Sequence, residues 1–221
     1  MTPLAHSRDP VVGLDEASVV FHGSVLLPPV SAVAHPGEAL AVTGGNGTGK
    51  TTLLTLLCGL ATPTTGTVHV EGCVPDERSP SFRRAVAGMI GLPPFARDLT
   101  VREQLRLVAL SWSARSTGLG TLGLLADDWL ERVGIPHLAD RFPHELSAGQ
   151  LQLAGLALTL IRPSSLLVLD EPEQRLDSER CAHVAGLLAA LRDEGRTLVV
   201  ATHSDDIVRT VGTKTLDLSS R

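Results

Sequence analysis

Residues 44–52 read GGNGTGKTT, which fits the spacing G-x-x-x-x-G-K-[ST] without a mismatch and combines the residue types that a magnesium-bound triphosphate requires. Gly44, Gly45, Gly47 and Gly49 lack a Cβ, so the backbone can turn successive N–H groups inward around phosphate oxygens. Asn46 and Thr48 occupy the variable positions, Lys50 supplies a mobile positive charge, and Thr51, followed by Thr52, is placed to ligate magnesium. A helix beginning near Gly49 would aim its unpaired N–H groups and the positive end of its dipole at the same oxygens. The context suits this: ALAVT (39–43) upstream is an apolar run of strand type, and Leu53 to Leu57 downstream is helix-forming.

A second group of chemistry-bearing residues follows the apolar run Leu166 to Leu169, a strand type buried on both faces, which ends in Asp170-Glu171-Pro172. Open α/β sheets place their ligand sites at the carboxyl ends of such strands. Two acids there would be costly without a cation nearby. Asp170 is expected to hold the magnesium shell and Glu171 to polarise an attacking water, in the arrangement known as Walker B.

These motifs need elements to position them, and 221 residues with 43% hydrophobic content suffice for one α/β domain with an insertion. The order of strand and helix patterns predicts a P-loop nucleotide-binding fold with a mainly parallel sheet, preceded by an antiparallel N-terminal β subdomain. The nucleotide-binding core is expected over 14–98 and 147–218. Between them, 99–146 reads as a helical subdomain, with helices near Val101 to Ser111 and Asp127 to Val133 separated by a glycine-rich stretch, Thr117 to Gly123.

Charge and cysteine usage exclude other classes. A net charge of −5 and a pI near 5.9 argue against nucleic acid as a partner. Of the 19 basic residues only Lys50 and Lys214 are lysines. Cys58, Cys73 and Cys181 lie far apart with no CxxC pair, which suits reduced thiols better than disulfides or a metal site. No run approaches the roughly 20 apolar residues of a membrane span, and the start lacks a signal-peptide pattern. The expected location is cytoplasmic.

LSAGQ, residues 146–150, opens a helix some twenty residues before the Walker B acids, and here the chain resembles the nucleotide-binding subunits of ABC transporters over roughly 14–218. The resemblance implies that Ser147, Gly149 and Gln150 form a second anion site at a helix N-terminus, which closes on ATP held by another subunit. It places Asp177 in the D-loop, His203 as the switch histidine that contacts the γ-phosphate, and Phe21, 29 residues before Lys50, as the aromatic that stacks on adenine. Two departures accompany the match. Gly91 stands where a glutamine normally contacts magnesium, the water and the transmembrane subunit, and LQLAGLAL after Gln150 lacks the usual arginines.

What the resemblance implies is an ATPase using ATP and Mg2+, with Glu171, His203 and Lys50 as catalytic residues. It would pair with a second copy or with a different ATPase and drive transmembrane permease subunits from the inner face of the membrane. Export is slightly favoured over import. The alternatives are a soluble ABC-type ATPase without a transport role, and a regulatory subunit that binds ATP but hydrolyses it poorly.

Overall fold

The computed structural model describes residues 9–113 and 118–219. In chain order the elements are β1 (Val12–Phe21), β2 (Ser24–Ala34), β3 (Ala39–Thr43), α1 (Lys50–Leu57), β4 (Thr65–Val70), α2 (Pro80–Ala85), β5 (Val86–Met89), α3 (Val101–Trp112) and α4 (Leu119–Arg132). There follow α5 (Ala148–Leu160), β6 (Leu166–Asp170), α6 (Ser178–Asp193), β7 (Thr197–Ala201), α7 (Asp205–Val211) and β8 (Lys214–Asp217).

A five-stranded parallel sheet in the order β5-β6-β7-β3-β8 carries the fold, and an antiparallel sheet β2-β1-β4 packs beside it. Both agree with the fold class expected from the sequence. Alternation along β6 sends Leu166 and Val168 into one core, with α1 and the antiparallel sheet, and Leu167 and Leu169 into the other, with the helices α3 to α6. Covering both faces is why β3, β6 and β7 read as unbroken apolar runs rather than alternating ones.

The helices between β5 and β6 start where capping groups allow. Thr100 accepts from the Glu103 N–H while the Glu103 carboxylate accepts from the Thr100 N–H at 2.8 Å, a capping box that fixes the start of α3. Two separate helices stand there as expected, but the break is shorter than read, since α4 already begins at Leu119 with Gly118 as its N-cap. Gly120 and Gly123 lie inside α4, and a Cβ on Gly123 would come within 3.2 Å of Arg106 Nη2, so that glycine serves close packing of α4 on α3. Thr117, where the stretch begins, lies outside the described residues.

The apolar character of α5 also has a packing cause. From Gln152 to Leu160 every residue is buried, and a Cβ on Gly155 would sit 2.8 Å from Pro93 Cδ. From Gln152 on, no face of this helix is left in water for arginines to occupy. The short α2 and β5 carried too few residues for a periodicity and were not foreseen.

Candidate functional site

Strand register builds the site. Val42 pairs with Ala201, and Ala201 pairs with Asp170, so β3, β7 and β6 end level with one another at their carboxyl edge. The phosphate loop, the segment Thr202-His203 and the acids Asp170-Glu171 therefore leave the sheet side by side.

Lys50, at the start of α1, is 6% exposed, and its Nζ donates to the carbonyls of Gly44 at 2.8 Å and Gly45 at 3.0 Å. Nζ also lies 3.1 Å from His203 Nε2, while that same nitrogen lies 3.2 Å from Glu171 Oε1. One ring nitrogen cannot both accept from the ammonium and donate to the carboxylate, so the two contacts are alternatives set by the tautomer. A phosphate that draws Lys50 away frees Nε2 to act as a donor.

Thr51 Oγ1 donates to Asp170 Oδ2 at 2.7 Å, which sets a hydroxyl and a carboxylate together at the mouth of the loop. Burial pushes the Asp170 carboxyl above its ordinary value, against the lowering effect of the Thr51 hydroxyl, and the neighbouring charge of Glu171 adds to the rise. A bound cation would reverse that balance.

Within the loop, Gly49 has φ 98, and a Cβ there would lie 2.6 Å from the Leu26 carbonyl oxygen, so the close approach of β2 demands glycine. Thr48 Oγ1 donates to the Gly45 carbonyl at 3.0 Å and holds the loop closed. A cavity of about 280 Å³ is lined by Val25, Leu26, Asn46, Gly47, Gly49, Lys50, Thr51, Thr52 and Glu171. A second, of about 300 Å³, opens between Gly44, Gly45 and His203.

Glu171 adopts φ 47, an uncommon conformation for a residue with a side chain and one found at active sites. Its surroundings hold it there. The Glu171 N–H donates to the Ala201 carbonyl at 2.8 Å, Gln152 Nε2 donates to the Glu171 carbonyl at 3.0 Å, and Gln174 Nε2 donates to Glu171 Oε2 at 3.0 Å. Sequence reading missed both glutamines. The signal for Gln152 was present, since it is a buried amide on an otherwise apolar helix; Gln174 sits in an exposed loop and carried none.

Other expected residues stand apart from these cavities. Ser147 caps α5, its hydroxyl facing the Gln150 N–H at 3.4 Å while its own N–H donates to Gln150 Oε1 at 2.8 Å. A Cβ on Gly149 would meet the Arg175 carbonyl at 2.7 Å, so glycine lets the loop after β6 lie against α5. Asp177 caps α6 by accepting from the Arg180 N–H at 2.9 Å. Ser147, Gly149, Gln150 and Asp177 line neither cavity around the phosphate loop. Phe21 ends β1 on the hairpin whose Val25 and Leu26 line the first cavity; it is 60% exposed, rests edge-on against His22 and does not itself line that cavity.

Gly91 follows β5 with φ 70 and lines a separate cavity of about 380 Å³ with Cys58, Phe82 and Pro93 among others. A glutamine at that position would be strained. Among the described residues no helix is long and apolar enough to cross a membrane.

Comparison with known proteins gives the same picture. Residues 27–174 match the ABC transporter family. A probable anion import ATP-binding protein of Haloferax volcanii is 35% identical over 88% of this chain and 72% of its own length. An uncharacterized ABC transporter ATP-binding protein of Mycobacterium tuberculosis is 32% identical over 92% of this chain and 85% of its own. An arabinose import ATP-binding protein of Azospirillum brasilense is 33% identical over 88% of this chain, which spans only 38% of that relative. Among solved structures, a dimeric ATP-binding cassette in a post-hydrolysis state with ADP and Pi superposes with a TM-score of 0.84 at 23% identity, each chain covered to 94%. A dimeric bacterial ABC transporter cassette gives 0.83 at 22% identity over the same share of each chain. This chain belongs to the ABC transporter family, as one of its ATP-binding ATPase subunits.

Proposed function

We propose that the chain is an ATP-hydrolysing motor that closes with a second cassette around two ATP molecules and drives separate transmembrane subunits. The observation that carries it is the convergence of Lys50, His203 and Glu171 within 3.2 Å contacts beside the Thr51–Asp170 pair. Lys50 exchanges its carbonyl partners for phosphate oxygens. His203 Nε2 then donates toward the γ-phosphate, and the Glu171 carboxylate, steadied by Gln174, accepts the proton of the attacking water.

Thr51 and Asp170 fit magnesium: a hydroxyl and a carboxylate are hard oxygen donors, and two from the protein leave positions for phosphate oxygens and water. When bound, the ion would neutralise charge on the β- and γ-phosphate oxygens.

Ser147, Gly149 and Gln150 stand at the start of α5 and line neither cavity around the phosphate loop of the same chain, which supports a role toward a nucleotide held elsewhere. We assign Ser147, Gly149 and Gln150 to the nucleotide of the opposing cassette, with Asp177 at the same interface and Phe21 against the adenine. Residues 99–146 form the helical subdomain of this reading. The leaning toward export finds no support: relatives whose names carry a direction, for anions and for arabinose, are importers.

The test uses Glu171→Gln, which should bind ATP yet hydrolyse it about 10²–10⁴-fold more slowly. Purified by affinity from detergent-solubilised membranes of its own host with MgATP, it should retain a membrane-spanning protein in stoichiometric amount and release it in ADP. Recovery of soluble partners alone from a folded, ATP-binding sample would shift the assignment to an ATPase without a transport role.

A further inference from the structure

The loop after β6 carries an acid whose partners belong to the end of another strand. Glu173 Oε1 accepts hydrogen bonds from the Thr202 hydroxyl and from the His203 backbone N–H, the latter at 3.2 Å. Thr202 is 1% exposed, and its oxygen in turn accepts from the Ser204 N–H at 2.9 Å. The second carboxylate oxygen of Glu173 is buried and has no hydrogen-bond partner among the described residues. A buried carboxylate oxygen without a donor opposes folding, while an apolar residue here would leave the Thr202 hydroxyl and the His203 N–H without this acceptor, so what the acid supplies is the tie to the end of β7.

We propose that Glu173 is the positioning residue of His203. By fixing the backbone on which the imidazole is mounted, it holds Nε2 at 3.1 Å from Lys50 Nζ and 3.2 Å from Glu171 Oε1. The carbonyl of Glu173 also accepts from the Leu176 N–H at 3.1 Å, so the turn leading to Asp177 is tied to the same residue. A movement of that turn is thereby passed to the histidine, only Pro172 separating Glu173 from the catalytic Glu171. Without the acid, Thr202 and the His203 N–H lose a common acceptor and the loop is free to rotate. The sequence hides this role, because Glu173 lies in a loop and its partners are 29 and 30 residues away.

The inference rests on His203 acting in hydrolysis, and the experiment separates the two. ATP affinity, kcat and melting temperature are measured for the whole chain and for His203→Ala, Glu173→Ala, Glu173→Gln, Thr202→Val and the His203→Ala/Glu173→Ala pair. Displacing a catalytic group by a fraction of its contact distance lowers rates by about ten- to hundredfold. Glu173→Ala should therefore lose that much in kcat with ATP affinity unchanged. Glu173→Gln, whose amide oxygen accepts the same two bonds, should restore the rate. In the His203→Ala background Glu173→Ala should cost nothing further.

If Glu173→Ala does not fold, Thr202→Val, which keeps the shape and removes the hydroxyl donor, should still lower kcat at unchanged affinity. A slow His203→Ala chain beside a Glu173→Ala or Thr202→Val chain at full rate overturns the inference alone. So does a loss at Glu173 that is equally large with and without the histidine. A His203→Ala chain as fast as the unmodified protein overturns the underlying reading together with it.

Discussion

Lys50 is the residue on which the site converges, since its ammonium is held by the Gly44 and Gly45 carbonyls and faces His203. Lys50→Ala removes a charge-assisted contact worth about 1.5–3 kcal/mol, so ATP should bind roughly ten- to hundredfold more weakly by calorimetry; unchanged affinity would contradict the placement of phosphate here. Asp170 gives a pH-dependent expectation. Its carboxyl titrates above the ordinary value because of burial, so the folded state holds its proton more tightly than the unfolded chain does. The neutral form stabilises at low pH, and that stability is lost as pH rises through the folded value. Asp170→Asn, still able to accept from Thr51, should raise the melting temperature at neutral pH without magnesium, with the difference vanishing toward acid, and should abolish magnesium-dependent nucleotide binding. A neutral-pH melting temperature below that of the parent would contradict burial as the cause of the shift.

At the scale of elements, α5 joins two functions, because its N-terminus carries Ser147 and Gly149 while Gln152, one turn on, braces the Glu171 carbonyl. Gln152→Leu suits the apolar helix but removes one of two donors to the Glu171 carbonyl, which keeps the Gln174 N–H at 3.0 Å, and should destabilise the chain by about 0.5–1.5 kcal/mol in denaturant unfolding while lowering ATP turnover. Full turnover would show that the strained backbone at Glu171 holds without it. The strands β3, β6 and β7, the helices α1, α5 and α6 and the motif residues they position were legible in the sequence, because their signals are local: a fixed spacing, an apolar run, a capping residue. What escaped reading depended on distant approaches. Gly123 lies within α4 with the Arg106 side chain close over it, and Gln174 meets Glu171 through a turn with no pattern of its own. The same holds for α5, whose missing arginines follow from burial on all sides.

For the whole molecule, two sets of residues that the motifs assign to one nucleotide stand in separate places on the chain. Lys50, Thr51, Asp170, Glu171 and His203 share an edge of the sheet, whereas Ser147, Gly149, Gln150 and Asp177 line neither phosphate cavity. The motifs showed that both sets exist, the resemblance implied that the second set serves another subunit's ATP, and the fold keeps the second set out of both cavities. In the reading proposed above, a second cassette completes the site. The direct measurement is ATP turnover per chain as a function of protein concentration, with sedimentation under the same conditions. Turnover should rise with concentration as a dimer forms in MgATP and should vanish when Ser147 is replaced by a bulky acid. A monomer that hydrolyses ATP at a constant rate per chain, indifferent to Ser147, would contradict a site shared between two cassettes.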